Sequence, residues 1–331
     1  MSTPGADPTV GELSEGEILS RILARLGPSA ALVGPGDDAA VLAAPDGRVV
    51  ATTDTLVHGP DFRLAWSSGF DLGWKAAAVN LADIAAMGAR PTALLVALAM
   101  PNATRASFVE ELATGLRAAC DALAPGCAVE GGDLTVSDTL TIAVTALGSL
   151  DGRAPVLRRG ARAGDTVAVA GHLGRAGRGL GILFGRFRDA AGDPVPVDPG
   201  QLSDEETTAL RAQLRPEPPV ALGVRAADAG ATAMMDVSDG LVLDASRMAA
   251  ASGVVIDIDS SALGEDPGDA LTGGEDHALL AAFPAGAPLP DGFRPIGTVS
   301  GHLVPGVLVD GLPHDGRPGW DPYRDWDALS G

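Results

Sequence analysis

The chain has 331 residues, enough for one large domain or two of ordinary size, and 46% of them are hydrophobic but only 4% aromatic. Its 43 Asp and Glu against 23 Lys and Arg give a net charge of −20, which argues against nucleic acid or an anionic membrane as a partner. The start lacks the features of a signal peptide, and the longest apolar run, residues 93–100, is too short to span a membrane. Cys120 and Cys127 match no zinc or redox motif, so we expect reduced thiols in a soluble cytoplasmic protein.

The first half of the chain alternates predicted helices and strands. Apolar residues at helical spacing predict a helix over 11–26, and the run "AAVL" at 39–42 is typical of the start of a buried strand. Further on, an Ala-rich helix over 73–91 ends near Gly88 and Pro91, and a second helix covers 104–123. Strands are predicted at 49–53, 92–101, 127–134 (ending in a glycine turn) and 140–150.

The second half begins after a polar, basic stretch at 151–164, so we place a domain boundary there, with domains at 1–150 and 151–331. A strand at 165–171 leads through a glycine-rich turn into a helix, and a charged, Pro-rich connection follows at about 193–219. Strand and turn at 231–240, a helix at 241–252, a strand at 254–259 and core segments at 271–283 and 295–301 complete the pattern. Each half is therefore predicted to be α/β or α+β.

Aspartates recur beside glycines where predicted strands end, in "GDDA", "TTDT", "GGDL", "DVSDG" and "GGED". Each motif alone is better explained as a turn, since Asp and Gly both favour turns. As a group they suggest convergence of five carboxylates: Asp38, Asp54, Asp83, Asp133 and Asp236. Two carboxylates about 4 Å apart repel by roughly 4 kcal/mol at an effective dielectric constant near 20, so such a cluster requires cations. Oxygen ligands favour Mg²⁺, and carboxylates around Mg²⁺ indicate phosphoryl transfer from a nucleotide.

The Ala-rich helix carries a polar stripe. Lys75, Asn80 and Asp83 fall on one side of an otherwise apolar helix at 100° per residue. The stripe indicates either a functional Asp83 or a helix edge at the surface where Asp83 pairs with Lys75.

The glycine-rich turn at 171–181 lacks the Gly-Lys-Ser/Thr ending of a Walker loop and does not fit the dinucleotide-binding glycine pattern. Its amides could face a phosphate, or its glycines could serve helix–sheet packing. The sequence leaves both alternatives open.

Seven motifs occur in order along nearly the whole chain: "GDDAAVL", "TTDTLV", "KAAAVNLADIAAMGA", "EGGD", "DVSDGL", "GGEDHAL" and "IGTV". With them the chain resembles the thiamine-monophosphate kinases, members of the aminoimidazole ribonucleotide synthetase-like superfamily. The resemblance implies a two-domain α/β (α+β) fold with mixed sheets flanked by helices. It also implies ATP-dependent phosphorylation of thiamine phosphate to thiamine diphosphate, the last step of thiamine diphosphate synthesis, by direct in-line transfer with several Mg²⁺ ions. A homodimer formed through the N-terminal domains, with active sites between N- and C-terminal domains, is expected.

The resemblance assigns site residues motif by motif, with no protein nucleophile among them. The expected Mg²⁺ ligands are Asp38, Thr52, Thr53, Asp54, Asp83, Asp133, Asp236 and Asp239. The expected ATP contacts are Gly132, Asp133, Arg158 and Ser238. Arg158 also suits this role physically, because a guanidinium at the domain junction can clamp phosphates.

Substrate contacts are expected from Asp61, Glu275 and Tyr323, although Glu275 could be an ordinary turn residue. An aromatic ring such as Tyr323 can stack on the thiazolium cation; alternatively Trp320, Tyr323 and Trp326 anchor the C-terminal segment to the core. In "VHGPDF", Asp61 replaces the histidine that the family commonly has there, which predicts altered substrate affinity but the same reaction.

Two alternatives to this function stay open at this point. One is another ATP-dependent enzyme of the superfamily, although the selenophosphate synthetases and hydrogenase-maturation proteins use a terminal cysteine that this sequence lacks. The other is a non-catalytic nucleotide- or metal-binding relative.

Overall fold

The computed structural model describes residues 7–35, 39–301 and 304–320. Its helices are α1 Glu15–Leu26, α2 Gly69–Ala86, α3 Ala106–Leu123, α4 Arg175–Arg186, α5 Asp204–Leu214, α6 Val220–Asp228, α7 Leu241–Ser252 and α8 Pro267–Thr272. Its strands are β1 Val50–Val57, β2 Arg90–Met100, β3 Ala128–Val136, β4 Thr141–Ser149, β5 Thr166–Ala170, β6 Ala233–Val237, β7 Val255–Ile258, β8 Ala278–Phe283, β9 Phe293–Ser300, β10 Gly306–Val309 and β11 Leu312–Pro313. The described residues also contain three short 3₁₀ turns: Val10–Glu12 before α1, Pro199–Gln201 between α4 and α5, and Ser260–Leu263 between β7 and α8.

The strands form two mixed sheets. The first has the order β1-β4-β2-β3, with β2 and β3 parallel and the other pairs antiparallel. The second has the order β11-β10-β7-β9-β5-β8-β6, with only β10 and β7 parallel. Helices cover both sheets, so the expected class of mixed sheets flanked by helices is confirmed. The boundary at residue 150 stays a prediction. No helix in the described part of the chain is long and apolar enough to cross a membrane.

Helix α2 lies between helices α3 and α6, and a glycine at each contact lets the two helix backbones approach closely. A Cβ on Gly73 would lie 2.0 Å from the Leu112 carbonyl oxygen of α3. A Cβ on Gly223 of α6 would lie 2.1 Å from the Ala85 carbonyl oxygen of α2. Between α3 and α6, α2 buries nearly all of its side chains, which explains its unusual apolarity.

The structure corrects three of the predicted elements. Strand β3 continues through Gly131 and Gly132 and does not end there in a turn. The glycines serve close strand packing, since a Cβ on Gly132 would lie 2.0 Å from the Val96 carbonyl oxygen. The "AAVL" stretch is no buried strand: Val41 is 49% exposed and only bridges Val33. The connection at 193–219 contains helix α5.

The first helix is also shorter than predicted, because Ser14 caps it and reciprocates with Glu17 in a capping box, so that α1 begins at Glu15. Helix α6 was not predicted at all. Its nine residues follow a proline pair and are too few for a clear apolar period.

Candidate active site

Strand β1 and helix α2 place a group of oxygen-bearing side chains together. Thr52 and Asp54 are two residues apart on β1 and therefore point to the same face of the sheet, the face that packs on α2. The Thr52 hydroxyl donates to Asp83 Oδ2 at 2.6 Å. This arrangement fixes the rotamer of the Asp83 carboxylate. Lys75 is engaged elsewhere, so the alternative in which it pairs with Asp83 is wrong.

The C-terminal half contributes Asp236 to the same place. Asp236 is the penultimate residue of the fully buried strand β6 and is 4% exposed. Burial, followed by the charge of Asp236, raises the pKa of Asp83 to about 6. Burial also raises the pKa of Asp54, with His277 opposing and Asp236 adding to the shift. These shifts indicate that ionisation of Asp54 and of Asp83 is costly in this buried group.

His277 is the counter-charge that the sequence analysis missed. Its Nδ1 lies 3.0 Å from Asp236 Oδ2, and the ring is 7% exposed. Burial alone lowers the pKa of His277, but the hydrogen bond and charge of Asp236 outweigh it and raise the pKa overall. The motif "GGEDH" is visible in the sequence, but nothing in its pattern distinguishes a buried histidine from an exposed one.

The "GGEDH" loop holds its side chains in a strained conformation. Glu275 and His277 have φ angles of 68° and 52°, in the left-handed region that side-chain-bearing residues rarely adopt. A Cβ on Gly274 would lie 2.3 Å from the Ser238 carbonyl oxygen, so only glycine allows the loop to lie against the "DVSDG" turn. Strain of this kind costs about 1–3 kcal/mol per residue and is typical of functional sites.

The "DVSDG" turn is itself held by a carboxylate that the sequence analysis did not consider. Asp244 of α7 is completely buried and accepts hydrogen bonds from the backbone amides of Ser238 (3.1 Å) and Asp239 (2.9 Å). Burial raises the pKa of Asp244 to about 6. Arg247 bridges Asp244 and Asp239 with 2.6 Å contacts, which fixes the position of Asp239.

A first cleft, of about 500 Å³, opens between the two halves beside the acidic group. Thr52, Asp83 and Asp236 line it on one side, and Arg158 and Arg159 on another. The structure therefore brings the predicted phosphate-binding Arg158 to the same cleft as three of the predicted metal ligands.

A second cleft, also of about 500 Å³, lies toward the N-terminal end of α2. It contains the predicted residues Asp61, Ser238, Asp239 and Glu275. Lys75, only 6% exposed, contacts Glu275 at 2.5 Å, and Gln213 donates to the same carboxylate oxygen at 2.7 Å. Burial raises the pKa of Glu275, but Lys75, Gln213 and His277 together outweigh burial and lower the pKa below its ordinary value, so Glu275 is a fixed anion.

Asp61 is also fixed in this cleft. Its Oδ2 accepts from the Val57 amide at 2.7 Å, and burial raises its pKa. His58 does not line this cleft and contacts Phe62 at a tilt of 43°, with ring centroids 5.6 Å apart. The change in "VHGPDF" thus places a carboxylate in the cleft.

An aromatic side chain of the C-terminal segment reaches the same cleft. Trp320 lines it, and its backbone amide donates to the Asp239 carbonyl at 2.9 Å. The sequence predicts Trp320 only as an anchor of the C-terminal segment. Tyr323, the predicted aromatic contact, lies outside the described residues, as does Asp38.

Two predicted metal ligands lie away from this group within one chain. Thr53 points to the opposite sheet face from Thr52, where its hydroxyl donates to the Val144 carbonyl at 2.9 Å. Asp133 is on β3, and the sheet order puts three strand spacings, about 14 Å, between β3 and β1. Gly132 lies on β3 as well.

The glycine-rich turn at 171–181 serves packing. Asp276 Oδ1 accepts from the Ala176 amide at 3.0 Å, so a carboxylate of the chain itself already occupies the N-terminus of α4. A Cβ on Gly174 would lie 2.3 Å from Asp269 backbone atoms, which explains the glycine there.

The donor set suits a hard cation. Within residues 7–35, 39–301 and 304–320, no three His, Cys, Asp or Glu side chains form a ready-made metal site. Mg²⁺ commonly binds through one or two carboxylates and completes its shell with water and substrate phosphates. The costly ionisation of Asp54 and Asp83 beside Asp236 is what such an ion would relieve, so these residues fit Mg²⁺.

The raised pKa of Asp83 predicts a pH-dependent stability difference. Its folded pKa of about 6 exceeds the ordinary value of 3.8, so ionised Asp83 destabilises the metal-free fold above about pH 6, and this penalty disappears as the pH falls toward 4. We expect Asp83→Asn to raise the melting temperature without Mg²⁺ at pH 7.5, and the gain to shrink at pH 5. Thermal denaturation of both proteins at the two pH values measures it. An equal gain at both pH values would contradict the assignment.

Comparison with known proteins agrees with this geometry. Residues 36–150 match the family model of "AIR synthase related protein, N-terminal domain". A thiamine-monophosphate kinase of Mycobacterium tuberculosis is 42% identical over 97% of this chain and 95% of its own length. The crystal structure of thiamine-monophosphate kinase from Stenotrophomonas maltophilia K279a has a TM-score of 0.75 and 36% identity, over 91% of this chain and 98% of that chain. A structure of AaThiL complexed with AMPPCP and TMP has a TM-score of 0.72 and 32% identity, over 93% and 97% of the two chains.

Proposed function

This chain belongs to the thiamine-monophosphate kinase family, and from that premise we propose that its two clefts transfer a phosphoryl group from ATP to thiamine phosphate, giving thiamine diphosphate. One observation carries the proposal: the carboxylates Asp83 and Asp236 and the phosphate-binding candidate Arg158 line one cleft between the two halves. The second cleft, with the fixed anion Glu275, supplies a place for the cationic substrate.

Different residues of the chain bind the ATP phosphates and the cation. Arg158 clamps phosphate oxygens of ATP in the first cleft, because a guanidinium presents paired donors to them. Asp54, Asp83 and Asp236 hold the cation, with Thr52 orienting Asp83 and His277 orienting Asp236. Mg²⁺, when bound there, neutralises phosphate charge and aligns the reacting groups. The other predicted ligands and contacts remain part of the proposal: Asp38, Thr53, Asp133, Asp239, Gly132, Ser238 and Tyr323.

No protein nucleophile or general base is required. The acceptor is a phosphate oxygen of thiamine phosphate, which is already ionised at neutral pH, so alignment and charge neutralisation are sufficient for in-line transfer. Both cysteines agree with this, since Cys120 and Cys127 are buried in the N-terminal core.

A homodimer is the assembly that completes the proposed site. Asp133 lies about 14 Å from β1 in its own chain, too far to share an ion with Asp54. β1 and β3 are the two edge strands of the sheet, and a two-fold axis can bring β3 of one copy to β1 of another. We therefore include a cytoplasmic homodimer in the proposal, formed through the domain at 1–150, with the domain at 151–331 completing each site.

Incubation with thiamine phosphate, ATP and Mg²⁺, followed by chromatographic detection of thiamine diphosphate, tests the function. Thiamine diphosphate and ADP in equal amounts are expected. ATP hydrolysis without thiamine diphosphate would indicate a different acceptor, and no nucleotide turnover at all would indicate a non-catalytic relative.

Arg158→Ala is expected to raise KM for ATP about tenfold or more while KM for thiamine phosphate stays near that of the wild type. The reason is that Arg158 lines the first cleft and not the second. Steady-state kinetics with each substrate varied in turn measures the two constants. Arg211→Ala, which removes an exposed arginine paired with Glu217, is the control and should change neither. Equal rises in both constants would contradict the assignment of the clefts.

A further inference from the structure

The second cleft has a chemically distinct end, which we call the aromatic corner and define as Trp66, Phe184 and Gly181. All three line the cleft. The rings of Trp66 and Phe184 meet edge to face, with centroids 5.0 Å apart, and the Trp66 indole nitrogen donates to the Phe187 carbonyl at 3.1 Å. This hydrogen bond fixes Trp66, so the corner is a preformed aromatic wall.

We propose that the aromatic corner binds the aminopyrimidine ring of thiamine phosphate and makes Trp66, Phe184 and Gly181 specificity-determining residues. This inference rests on the proposed function. Three observations support it: the order of groups along α2, the charges at each position, and open room beside α4.

Along helix α2, the aromatic corner, Lys75 and Asp83 follow one another in the same order as the pyrimidine, the thiazolium and the phosphate follow one another in thiamine phosphate. Trp66 precedes the helix, whose cap is Ser68; Lys75 lies in its middle and Asp83 near its end. Lys75 and Asp83 are eight residues apart, about 12 Å along the axis at 1.5 Å per residue. In thiamine phosphate the thiazolium ring lies between the phosphate and the pyrimidine. With the phosphate toward Asp83, the thiazolium lies near Glu275 and the pyrimidine at the aromatic corner.

The charges select the same orientation. Asp61 and Glu275, which line the cleft together with Lys75, favour the thiazolium cation. At the corner the guanidinium carbons of Arg63 and Arg188 lie 5.8 Å and 5.5 Å from the Phe184 ring centroid. Two cations beside the ring disfavour a cationic ring, whereas the neutral aminopyrimidine can pack on the aromatic and guanidinium surfaces.

Gly181 leaves the room that a ring needs. A Cβ on Gly181 would meet nothing within 4 Å, so this position of α4 opens on the cleft. Gly185, one turn further along α4, also has open space but does not line the cleft. Both lack a positive φ, so leucine at either position creates no backbone strain, and the two substitutions form a matched pair.

The test compares Gly181→Leu with Gly185→Leu by isothermal titration calorimetry in the presence of Mg²⁺ and a non-hydrolysable ATP analogue. The ligands are thiamine phosphate and an N-methylated hydroxyethylthiazolium phosphate, which keeps the cationic ring and lacks the pyrimidine. We expect Gly181→Leu to weaken thiamine phosphate binding about tenfold or more and to leave the affinity for the thiazolium phosphate unchanged. Gly185→Leu should bind both ligands like the wild type. Phe184→Leu, which keeps apolar volume but removes the ring, should weaken thiamine phosphate alone.

The outcomes separate the inference from the proposed function. Wild-type affinity for thiamine phosphate in Gly181→Leu, or equal losses for both ligands, would overturn the pyrimidine assignment while wild-type turnover still supported the function. Failure of the wild type to bind thiamine phosphate at all would overturn both.

Discussion

Replacing Asp83 with Asn is expected to lower kcat for thiamine diphosphate formation by about 1,000-fold, because the change removes a charge from the group that holds the cation while keeping the side chain's shape. The fold should survive. The Thr52 hydroxyl can still donate to the remaining amide oxygen, and a neutral side chain avoids the cost of burying an ionised carboxylate whose pKa is raised to about 6. At pH 7.5 without Mg²⁺ the variant should be about 1–3 kcal/mol more stable than the wild type.

Steady-state kinetics and chemical denaturation of the same preparations measure both effects. Asp121→Asn is the matched control: Asp121 is a surface carboxylate on α3, paired with Arg117 one turn away, and its loss should leave kcat unchanged. Near-normal activity of Asp83→Asn would refute its proposed role, and a large loss of stability would show that Asp83 supports the fold.

Mixing two inactive variants is expected to restore activity. Asp54→Asn and Asp133→Asn should each abolish turnover as pure proteins, since each removes a proposed metal ligand. Asp133 is too distant from β1 to act beside Asp54 of its own chain, so a mixed dimer should contain one site with both aspartates and one with neither. Random reassociation makes half of the dimers mixed, so the activity should return to about a quarter of the wild-type value.

Co-refolding the two variants and assaying thiamine diphosphate formation measures this recovery. Mixing Asp54→Asn with Asp83→Asn is the control, because both changes fall in the same site group. A mixed dimer of those chains has two defective sites and should stay inactive. Absence of recovery in the first mixture, with dimers present by sedimentation, would contradict the shared site.

The predicted fold class follows from patterns that are local in the sequence. Alternating strand and helix signals were enough to predict an α/β or α+β class, because periodicity reports which faces are buried, and the motif resemblance implied the mixed sheets flanked by helices. Helix α5 and the path of β3 were not predicted. A charged helix and a glycine pair resemble connections, and only packing against neighbouring elements decides otherwise.

Among the site residues, too, some can be predicted from local sequence patterns and others depend on tertiary contacts. Asp83 could be a candidate from the sequence because, from Lys75 to the end of α2, it is the only carboxylate on an otherwise apolar helix, and a buried carboxylate is costly. His277 and Asp244 could not be selected from the sequence, because their roles depend on burial and on distant or backbone partners. His277 pairs with Asp236, 41 residues away, and Asp244 accepts from backbone amides of the "DVSDG" turn. The pairing of Lys75 with Glu275, 200 residues apart, is likewise a tertiary result.

The sequence by itself thus determined the family, the fold class and the chemical character of the site, because those depend on which residue types occur in which order. Only the tertiary structure decided which partner each charge has, which residues share a cleft, and that Asp133 lies at the far edge of its sheet from Asp54. These properties depend on strand order and on side-chain direction, and neighbouring positions in the chain do not encode either.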